Sequence, residues 1–381
     1  MTGAPRLMFQ VQNLLGIGHQ MRAAAIARAC VARGFRVDVL LGGPDGMGVD
    51  WGAARLHPLP PVRALDQSFR ILVDASGNMV DDAWLAARGR LLLDKAETLR
   101  PDILLLEGFP FARRRFHVEL TPLIERMGAR GIPVACSIRE ILQRPGKPGR
   151  VAEAIGRAER HLDHILVHGD PAFLPVTDSY PELAGLAGRV IYTGFVAPDA
   201  PAAADIAAAP QGEILVSAGG GAVGGRLIRA ALGAARLGVG GADRRWRILV
   251  GPNLPPEDRP DPTDLPGHVR VEPNRTDFRA LLAACDLSIS QAGYNTVMDL
   301  AVTRPRALLC PFAGDGGEQE QPLRAARLAA LGLADCLSPD RLTAQALALA
   351  IDKALAKQAP VSYPFQINGA AQSAEILWTM L

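Results

Sequence analysis

A glycine turn and a helix start in the C-terminal half of the chain could together hold an anion. Leu287 to Ser290 is a short apolar run typical of a buried strand, and Gly293 allows a sharp turn into a helix. That helix is predicted to begin near Asn295 and Thr296, one of which is the expected N-cap. Backbone amides at a helix start, at the positive end of the helix dipole, favour a group such as a diphosphate.

The same stretch carries side chains suited to sugar hydroxyls. Asp299 lies one turn into the predicted helix, where a carboxylate can accept hydrogen bonds from two ribose hydroxyls. A second strand, 306 to 310, leads into a polar loop from 313 to 321, in which Glu320 and Gln321 are placed to contact sugar hydroxyls. A strand, a glycine turn and a capped helix occur in any α/β protein, so a purely structural role stays open for this stretch taken alone.

A second candidate site surrounds His19. Gly16 and Gly18 permit close backbone approach, and His19 begins a helix at the carboxyl edge of the first predicted strand, where open α/β sheets bind ligands. A helix N-terminus disfavours the imidazolium and keeps the ring neutral, as a general base requires. A capping or packing role for His19 is the alternative. Arg22, one turn later, is expected either to bind an anion or to form a surface ion pair.

A third glycine-rich segment, Gly219-Gly-Gly-Ala-Val-Gly224, follows a predicted strand with the spacing of a dinucleotide-binding loop. Such a site needs an acidic residue near the end of the next strand, whereas that strand ends at Val250-Gly-Pro-Asn253. We therefore favour the interpretation that Gly219, Gly220 and Gly221 bring backbone amides close to a phosphate or a sugar. A tight turn without a ligand is the alternative.

Composition excludes several classes of protein. The chain has 381 residues, of which 49% are hydrophobic and 21% charged, as in a soluble protein of two or three domains. A formal net charge of +2 and 5% aromatic residues offer little to nucleic acid. The five cysteines are scattered without a CxxC pair, which favours a reducing compartment. With no secretion signal and no apolar run of about 18 residues, we expect a cytoplasmic protein, with peripheral contact at the inner membrane face left open.

The elements that would position these sites occur as two βαβ patterns. A strand from 7 to 11, a helix from 19 to 33 ended by Gly34 and a strand from 35 to 41 form the first pattern. Further strands are predicted at 103 to 106, 133 to 137, 164 to 167 and 190 to 192. The second pattern has a strand from 213 to 217, a helix from 227 to 238 and a strand from 246 to 250. This spacing predicts two mostly parallel sheets.

Composition also predicts the domain boundaries. An Ala-, Pro- and Asp-rich stretch suggests a linker at 198–211, between an N-terminal domain at 1–197 and a C-terminal domain at 212–364. Residues 365–381 have an amphipathic pattern and are expected to pack as a final helix.

Several motifs together resemble one family. They are Gly16-Ile-Gly-His-Gln-Met-Arg22, Gly108-Phe-Pro-Phe111, Arg139-Glu-Ile-Leu142, His168-Gly-Asp-Pro171, Tyr192-Thr-Gly194, and Ala292-Gly-Tyr-Asn-Thr296 followed by Asp299 and by Glu320-Gln321 with Arg324-Ala325. Over nearly its whole length the chain resembles the bacterial glycosyltransferases related to MurG, near glycosyltransferase family 28. The resemblance implies an α/β protein of GT-B fold, in which two Rossmann-like domains with parallel sheets face an interdomain cleft and the C-terminal helix packs back.

The resemblance implies an inverting, metal-independent transfer of a sugar from a nucleoside diphosphate sugar, expected to be a UDP-sugar, to an unidentified acceptor. It assigns the ribose to Asp299, where Glu is more usual, and the donor sugar to Glu320 and Gln321, where MurG has two glutamines. The pocket for the base is assigned to the stretch from Pro273 to Phe278. The remaining donor-binding residues are Gly219, Gly220, Gly221, Gly293, Tyr294, Asn295, Thr296 and Arg324. The residues expected to face the acceptor are Gly16, Gly18, Arg22, Phe109 and Arg139.

Inversion requires a base at the acceptor hydroxyl and stabilisation of the departing diphosphate. His19 is the expected base, Glu140 the reserve and Glu107 a weaker reserve. The helix start at 293 to 296 and the loop at 219 to 221 are expected to stabilise the leaving group. No DxD motif stands at a strand end, so neither a metal nor a cofactor is expected; Asp261-Pro-Thr-Asp264 lies in a proline-rich loop.

The acceptor stays unidentified: a saccharide, a lipid-linked group and a small molecule all remain open. The basic run Arg113-Arg114-Arg115 either contacts an anionic acceptor or lipid or is a solvated charge cluster. Two alternatives to transfer also remain. One is a nucleotide-sugar hydrolase or epimerase of the same fold, in which His19 would activate water, and the other is a non-catalytic nucleotide-sugar-binding protein.

Overall fold

The computed structural model describes residues 3–14, 18–44, 48–65, 71–145, 148–220, 223–241, 244–314 and 318–381. The chain separates into two compact units, one formed by residues 1–196 with 365–381 and the other by residues 197–364. Each unit is an α/β structure around its own sheet.

The first unit is built on a parallel sheet. Its strands are β1 (Arg6–Val11), β2 (Arg36–Leu41), β3 (Arg55–Pro58), β6 (Ile103–Glu107), β7 (Val134–Arg139), β8 (His164–His168) and β9 (Val190–Tyr192), with a separate antiparallel pair β4 (Arg63–Ala64) and β5 (Leu72–Val73). The order across the sheet is β3-β2-β1-β6-β7-β8-β9. The helices are α1 (Gly18–Arg33), α2 (Asp82–Leu99), α3 (His117–Ala129), α4 (Pro148–His161) and α5 (Val176–Ser179).

Local sequence explains where these helices start and stop. The carboxylate of Asp81 accepts a hydrogen bond from the Trp84 amide at 2.7 Å, which caps the first turn of α2. Helix α1 ends at Gly34, whose φ of +116° suits a residue without a Cβ. The cap and the glycine fix where each helix leaves the sheet.

Alternating residues of the central strand face two hydrophobic layers. Leu7, Phe9 and Val11 are buried in one apolar cluster with α1, while Met8 belongs to the other cluster with α2 and α3. Because both faces of the sheet are covered, the strands are apolar almost throughout, as is typical of parallel sheets.

The second unit has the same plan. Its strands are β10 (Ile214–Ser217), β11 (Trp246–Val250), β12 (Val269–Pro273), β13 (Leu287–Ser290), β14 (Ala307–Leu309) and β15 (Asp335–Cys336), all parallel and ordered β12-β11-β10-β13-β14-β15. Its helices are α6 (Ala203–Ala208), α7 (Gly225–Arg236), α8 (Phe278–Ala284), α9 (Tyr294–Thr303), α10 (Glu320–Ala330) and α11 (Ala344–Leu355). Short 3₁₀ turns in the two units lie at Arg114–Phe116, Pro181–Leu186, Pro256–Asp258, Pro262–Asp264 and Pro339–Arg341.

The final helix, α12 (Gly369–Thr379), returns to the first unit and packs against α1. Trp378 makes an edge-to-face contact with Phe35 at 5.1 Å between ring centroids, and the Arg33 guanidinium lies 4.0 Å from the centre of the same indole. This confirms the prediction that the C-terminal helix packs back.

The predicted fold class is confirmed, with two parallel α/β sheets in the arrangement expected for each domain. One local prediction was wrong: the polar loop expected to run to Gln321 ends earlier, because α10 begins at Glu320. The stretch expected to link the domains includes α6, which packs against α8. Within the described residues, none of the helices combines the length and the apolar character that crossing a bilayer demands.

Each sheet has one point where the strand order reverses. In the first unit it lies between β1 and β6, and in the second between β10 and β13. At such a point the loops after the two strands diverge and leave a crevice at the carboxyl edge, the usual ligand site of open α/β sheets. His19 follows β1 and Gly219 follows β10, so both sequence-predicted loops lie at these positions.

Candidate functional site

The crevice of the first unit pairs His19 with a carboxylate. His19 stands in the first turn of α1, and its Nδ1 lies 2.9 Å from Oε1 of Glu107, the last residue of β6. The His19 side chain is 23% exposed whereas Glu107 is buried, so the ring remains accessible from one side. The ring nitrogen that faces away from Glu107 is the one available to a ligand.

Electrostatics fix the protonation state of this pair. Burial lowers the pKa of His19 to about 4, Glu107 opposes that shift, and the charges of Arg113 and Arg139 add to it. Burial would raise the pKa of Glu107, but His19 and Arg22 outweigh it and hold the pKa well below its usual range. At neutral pH the carboxylate is ionised and accepts only, so Nδ1 carries the proton and Nε2 is a free acceptor on a neutral ring.

Arg22 completes the pair from one turn along α1. Its guanidinium is buried and donates to the same carboxylate oxygen of Glu107. The sequence offered an anion site or a surface ion pair for Arg22; the structure instead shows a buried ion pair. Arg113 donates its Nε to the Gln12 carbonyl at 2.7 Å and, through its charge, acts on both His19 and Glu107. The basic run from Arg113 is therefore not a uniform solvated cluster.

Other residues predicted to face the acceptor have different positions. Phe109, predicted to face the acceptor, is fully buried in the hydrophobic core. Glu140 is also fully buried, and Gly169 packs so closely on it that a Cβ there would lie 2.4 Å from the Glu140 Cβ. That position argues against the reserve-base role.

The other predicted acceptor residues lie near His19 or outside the described residues. Arg139 is the last residue of β7, and its charge lowers the pKa of His19. Gly18 is the first residue of α1, and Gly16 lies outside the described residues.

The Gln20 side chain at the start of α1 is hydrogen-bonded to residues that follow β1 and β2. Gln20 Nε2 donates to Asn13 Oδ1 at 2.7 Å and to the Pro44 carbonyl at 3.0 Å. Gly43 is required beside it, because a Cβ at that position would lie 2.3 Å from the Asn13 carbonyl oxygen. The loop after β2 is thus fastened to the start of α1, which fixes the position of the imidazole.

The crevice of the second unit lies where a glycine begins α9. Gly293 is the N-cap, with φ −64° and ψ 152°, so the prediction of Asn295 or Thr296 as the cap was wrong. Asn295 and Thr296 instead occupy the first turn and are partly exposed. The described chain supplies no side-chain cap at this helix start. Tyr294, predicted as a donor contact, is the first residue of α9 and is 4% exposed.

Two asparagines anchor the glycine loop after β10. Asn274 Nδ2 lies 3.4 Å from the Gly219 carbonyl oxygen, and Asn253 Nδ2 donates to the Gly220 carbonyl at 2.8 Å. In a planar trans peptide the amide that follows a carbonyl points the opposite way, so the Gly220 N–H faces away from these side chains. Among the described residues, no atom lies within 4 Å of an ideal Cβ at Gly219 or Gly220, so the space on that side of both glycines is open. Gly221 lies outside the described residues.

Side chains at the start of α10 bind the backbone that precedes α9. Gln321 Oε1 accepts hydrogen bonds from the Ala292 and Phe312 amides, each at 3.1 Å. Arg324 is fully buried, donates to the Ala292 carbonyl at 2.8 Å and pairs with Glu320 at 2.9 Å. The charged groups of Arg324 and Glu320, both predicted to contact the donor, pair with one another inside the protein. The Gln321 carbonyl oxygen is likewise used by the backbone.

Asp299 lies where the sequence predicts it, on α9 with a side chain that is 17% exposed. Burial raises its pKa to about 6, and the neighbouring Arg279 guanidinium opposes that shift. Phe278, the last residue of the stretch expected to hold a base, is the first residue of α8 and is partly buried. The described residues contain no cluster of three His, Cys, Asp or Glu side chains placed to hold a metal ion.

This arrangement coincides with a match to a known family. The family model of the glycosyltransferase family 28 C-terminal domain matches residues 216–374, which include the Gly219 loop, α9 and Asp299. Residues 216–374 thus match a C-terminal domain of glycosyltransferase family 28. No curated protein matches the sequence.

Solved structures extend the similarity to the whole chain. MurG of Acinetobacter baumannii is 16% identical with a TM-score of 0.57, and the match covers 98% of this chain and 99% of the MurG chain. The spinosyn rhamnosyltransferase SpnG is 20% identical with a TM-score of 0.60, covering 99% and 95%. UGT2 of Phytolacca americana is 14% identical with a TM-score of 0.60, covering 100% and 94%. The fold is therefore that of the GT-B glycosyltransferases, and the MurG-like resemblance is confirmed.

Sequence reasoning underestimated or missed three groups of this site. Glu107 was placed as a weak reserve base, although its position at the end of β6, next to the crevice, is the signal that it meets His19. Asn253 and Asn274 were given no role. Their signal is their location at the ends of β11 and β12, the strands next to the glycine loop, but no sequence spacing shows which carbonyl they bind.

Proposed function

We propose that the chain is an inverting glycosyltransferase that moves a sugar from a nucleoside diphosphate sugar, with uridine as the expected nucleoside, to an acceptor hydroxyl. The observation that carries the proposal is the pair of His19 and Glu107, with Nδ1 and Oε1 2.9 Å apart and a ring that is neutral at physiological pH. A neutral, partly exposed imidazole held by a buried carboxylate suits a general base.

In the proposed reaction, Nε2 of His19 takes the proton of the acceptor hydroxyl as its oxygen bonds to the anomeric carbon. The bond from that carbon to the diphosphate oxygen breaks in the same displacement, which inverts the configuration. Glu107 stabilises the imidazolium that forms, because it is already ionised and hydrogen-bonded to the other ring nitrogen. The proton passes from the acceptor to His19, and the electron pair leaves with the diphosphate.

The second unit is proposed to bind the donor. The α9 start at Gly293 and the Gly220 amide are assigned to the diphosphate, where backbone donors stabilise negative charge without a metal ion. Asp299 is assigned to the ribose, since its carboxylate is partly exposed one turn beyond that helix start. The fold neighbours act on related ligands: SpnG has been solved with thymidine diphosphate and UGT2 with UDP-2-fluoro-glucose and pterostilbene.

One assay tests the proposal. The protein is incubated with a panel of nucleotide sugars, with and without cell extract as a source of acceptor, and free nucleoside diphosphate is measured, with and without EDTA. We expect release that depends on the extract and is unchanged by EDTA. Equal release without extract would replace transfer by hydrolysis, in which His19 activates water. A failure of every nucleotide to bind would refute the donor assignment.

Two variants separate the proposed roles. His19→Ala is expected to keep donor affinity and to lose turnover, because the imidazole is assigned to the acceptor proton. Asp299→Ala is expected to weaken nucleotide binding itself. If both variants lowered donor affinity equally and left turnover at saturation unchanged, the division of work between His19 and Asp299 would be wrong.

A further inference from the structure

The carboxylate of Asp299 has one charged neighbour whose role the proposed function does not specify. Arg279, on α8, places its Nη1 3.8 Å from Asp299 Oδ1 on α9, and the two helices pack together. Arg279 acts on the carboxylate both through its charge and as a side-chain hydrogen-bond donor. A carboxylate has two oxygens and about four acceptor positions, so one arginine leaves acceptor positions for a ligand. The side chains are 38% and 17% exposed, so Asp299 sits in a partly desolvated position beside a more solvated cation.

Arg324, the arginine beside the first residue of α9, is already paired with a carboxylate. Arg324, whose guanidinium lies 5.8 Å from the centre of the Tyr294 ring, is paired with Glu320 on its own helix. Burial raises the pKa of Asp299 to about 6, and Arg279 is the charged side chain that lowers it. Without Arg279, a larger share of Asp299 would carry a proton at neutral pH.

We propose that Arg279 is a positioning residue that keeps the Asp299 carboxylate charged and oriented toward the two ribose hydroxyls of the donor. The inference rests on the proposed function, which assigns the ribose to Asp299. An ionised carboxylate accepts from both hydroxyls, whereas a protonated one donates through one oxygen and loses part of that capacity. Arg279 therefore controls how strongly the site distinguishes a ribonucleotide from its 2′-deoxy counterpart.

The measured quantity is the ratio of the dissociation constants of 2′-deoxy-UDP and UDP, obtained by calorimetry between pH 5 and pH 8. A hydrogen bond to a charged group corresponds to a preference of roughly 10- to 100-fold. In the wild type we expect that preference at pH 7 to 8 and its decline as the pH falls through about 6, the pKa of Asp299. The preference is expected to fall at low pH because protonation removes the negative charge of Asp299 that accepts hydrogen bonds from the hydroxyls.

Three variants and a control isolate the pair. Asp299→Asn is expected to remove the pH dependence and most of the preference. Arg279→Met is expected to move the midpoint of the decline to higher pH and to reduce the preference at pH 7, while Arg279→Lys restores it. Arg270→Met is the matched control: Arg270 is 74% exposed on β12 and lies 3.9 Å from Glu272, so its loss should leave the ratio unchanged.

The outcomes separate the inference from the function on which it rests. If the wild type binds neither nucleotide, the proposed function fails. If UDP binds with the expected preference but Arg279→Met and wild type show the same ratio at every pH, the positioning role of Arg279 is overturned and the donor assignment stands. Because the ratio compares two ligands on one protein, a general loss of stability in a variant does not imitate either result.

Discussion

Replacing Glu107 by Gln tests whether a buried charge, and not only a hydrogen bond, supports His19. Gln keeps the length of the side chain and an oxygen that can accept from Nδ1, but it removes the negative charge. We expect donor affinity to be retained and kcat to fall, because the charge matters most when the imidazole becomes positive in the transition state.

The size of the effect can be worked from the contacts. Two unit charges about 4 Å apart interact by about 4 kcal/mol at an effective dielectric constant of about 20. Arg22 donates to the same oxygen of Glu107 and offsets part of that field. Taking about half leaves about 2 kcal/mol, or roughly 30-fold in kcat. His19→Ala, which removes the base itself, is expected to cost about 10²- to 10⁴-fold.

The dependence of kcat on pH gives a second test of the role of Glu107. Glu107 raises the pKa of His19, so Glu107→Gln should move the acid limb of kcat to lower pH, away from the value of about 4 expected for the wild type. If Glu107 were itself the base, the variant would instead lose the limb and nearly all turnover. Release of nucleoside diphosphate at saturating donor, measured between pH 3 and pH 8 with extract as acceptor, gives both quantities.

Two controls protect this result from a folding artefact. Glu107→Gln removes a partner of the buried Arg22, so the melting temperature of the variant is compared with that of the double variant Glu107→Gln with Arg22→Met. Glu97→Gln changes an exposed glutamate of α2 and should leave kcat unaltered. A Glu107→Gln enzyme with wild-type kcat and an unmoved acid limb would refute the role of the charge.

Three further results are expected. Asn253→Ala should weaken binding of a nucleoside diphosphate by roughly threefold to tenfold in calorimetry, because the 2.8 Å hydrogen bond that holds the Gly220 carbonyl is lost; unchanged affinity would refute the anchoring role. Glu320→Gln should lower the melting temperature but leave the preference among nucleotide sugars intact, since its partner Arg324 is buried; a changed preference would restore a donor contact. Burial lowers the pKa of His168 to about 3, so between pH 7 and pH 5 the unfolded state gains a proton that the folded state does not, and the free energy of unfolding should fall by about 2 kcal/mol from this residue. Urea denaturation of His168→Gln should show a correspondingly flatter dependence on pH, and an equal slope would contradict the assignment.

Periodicity and glycine spacing predicted most of the fold. The strands that were predicted from the sequence, from β1 to β14, are apolar runs bounded by turn residues. Their observed ends differ from the predicted ends by a residue or two. The errors lie where tertiary contacts decide the helix start. The N-cap of α9 is Gly293, whereas the sequence predicted Asn295 or Thr296. Helix α10 begins at Glu320, inside an expected loop, and the side chain of its second residue, Gln321, accepts hydrogen bonds from the Ala292 and Phe312 amides.

The candidate site was harder to predict than the fold. His19 and Asp299 were found because they stand at the ends of recognisable loops and helices. Glu107 was misjudged because its partner is 88 residues away in sequence, and only the strand order brings β1 beside β6. Phe109 was assigned toward the acceptor by the family resemblance, whereas the structure buries its ring in the core. A motif identifies a segment, but packing decides which of its side chains face outward.

The two positions at which the chain departs from MurG have different meanings. The charge of Glu320 is satisfied by Arg324 at 2.9 Å within the same helix, so glutamate at this position is explained by the interior of the protein and requires no different donor sugar. Asp299 has no such internal explanation, since its nearest cation is 3.8 Å away and its carboxylate is partly exposed. On the proposed assignment of the ribose to Asp299, a shorter carboxylate beside an arginine from α8 would place recognition of the ribose under the control of two residues. The departure at Asp299 is therefore the one that bears on the choice of donor, and Arg279 is the residue to vary with it.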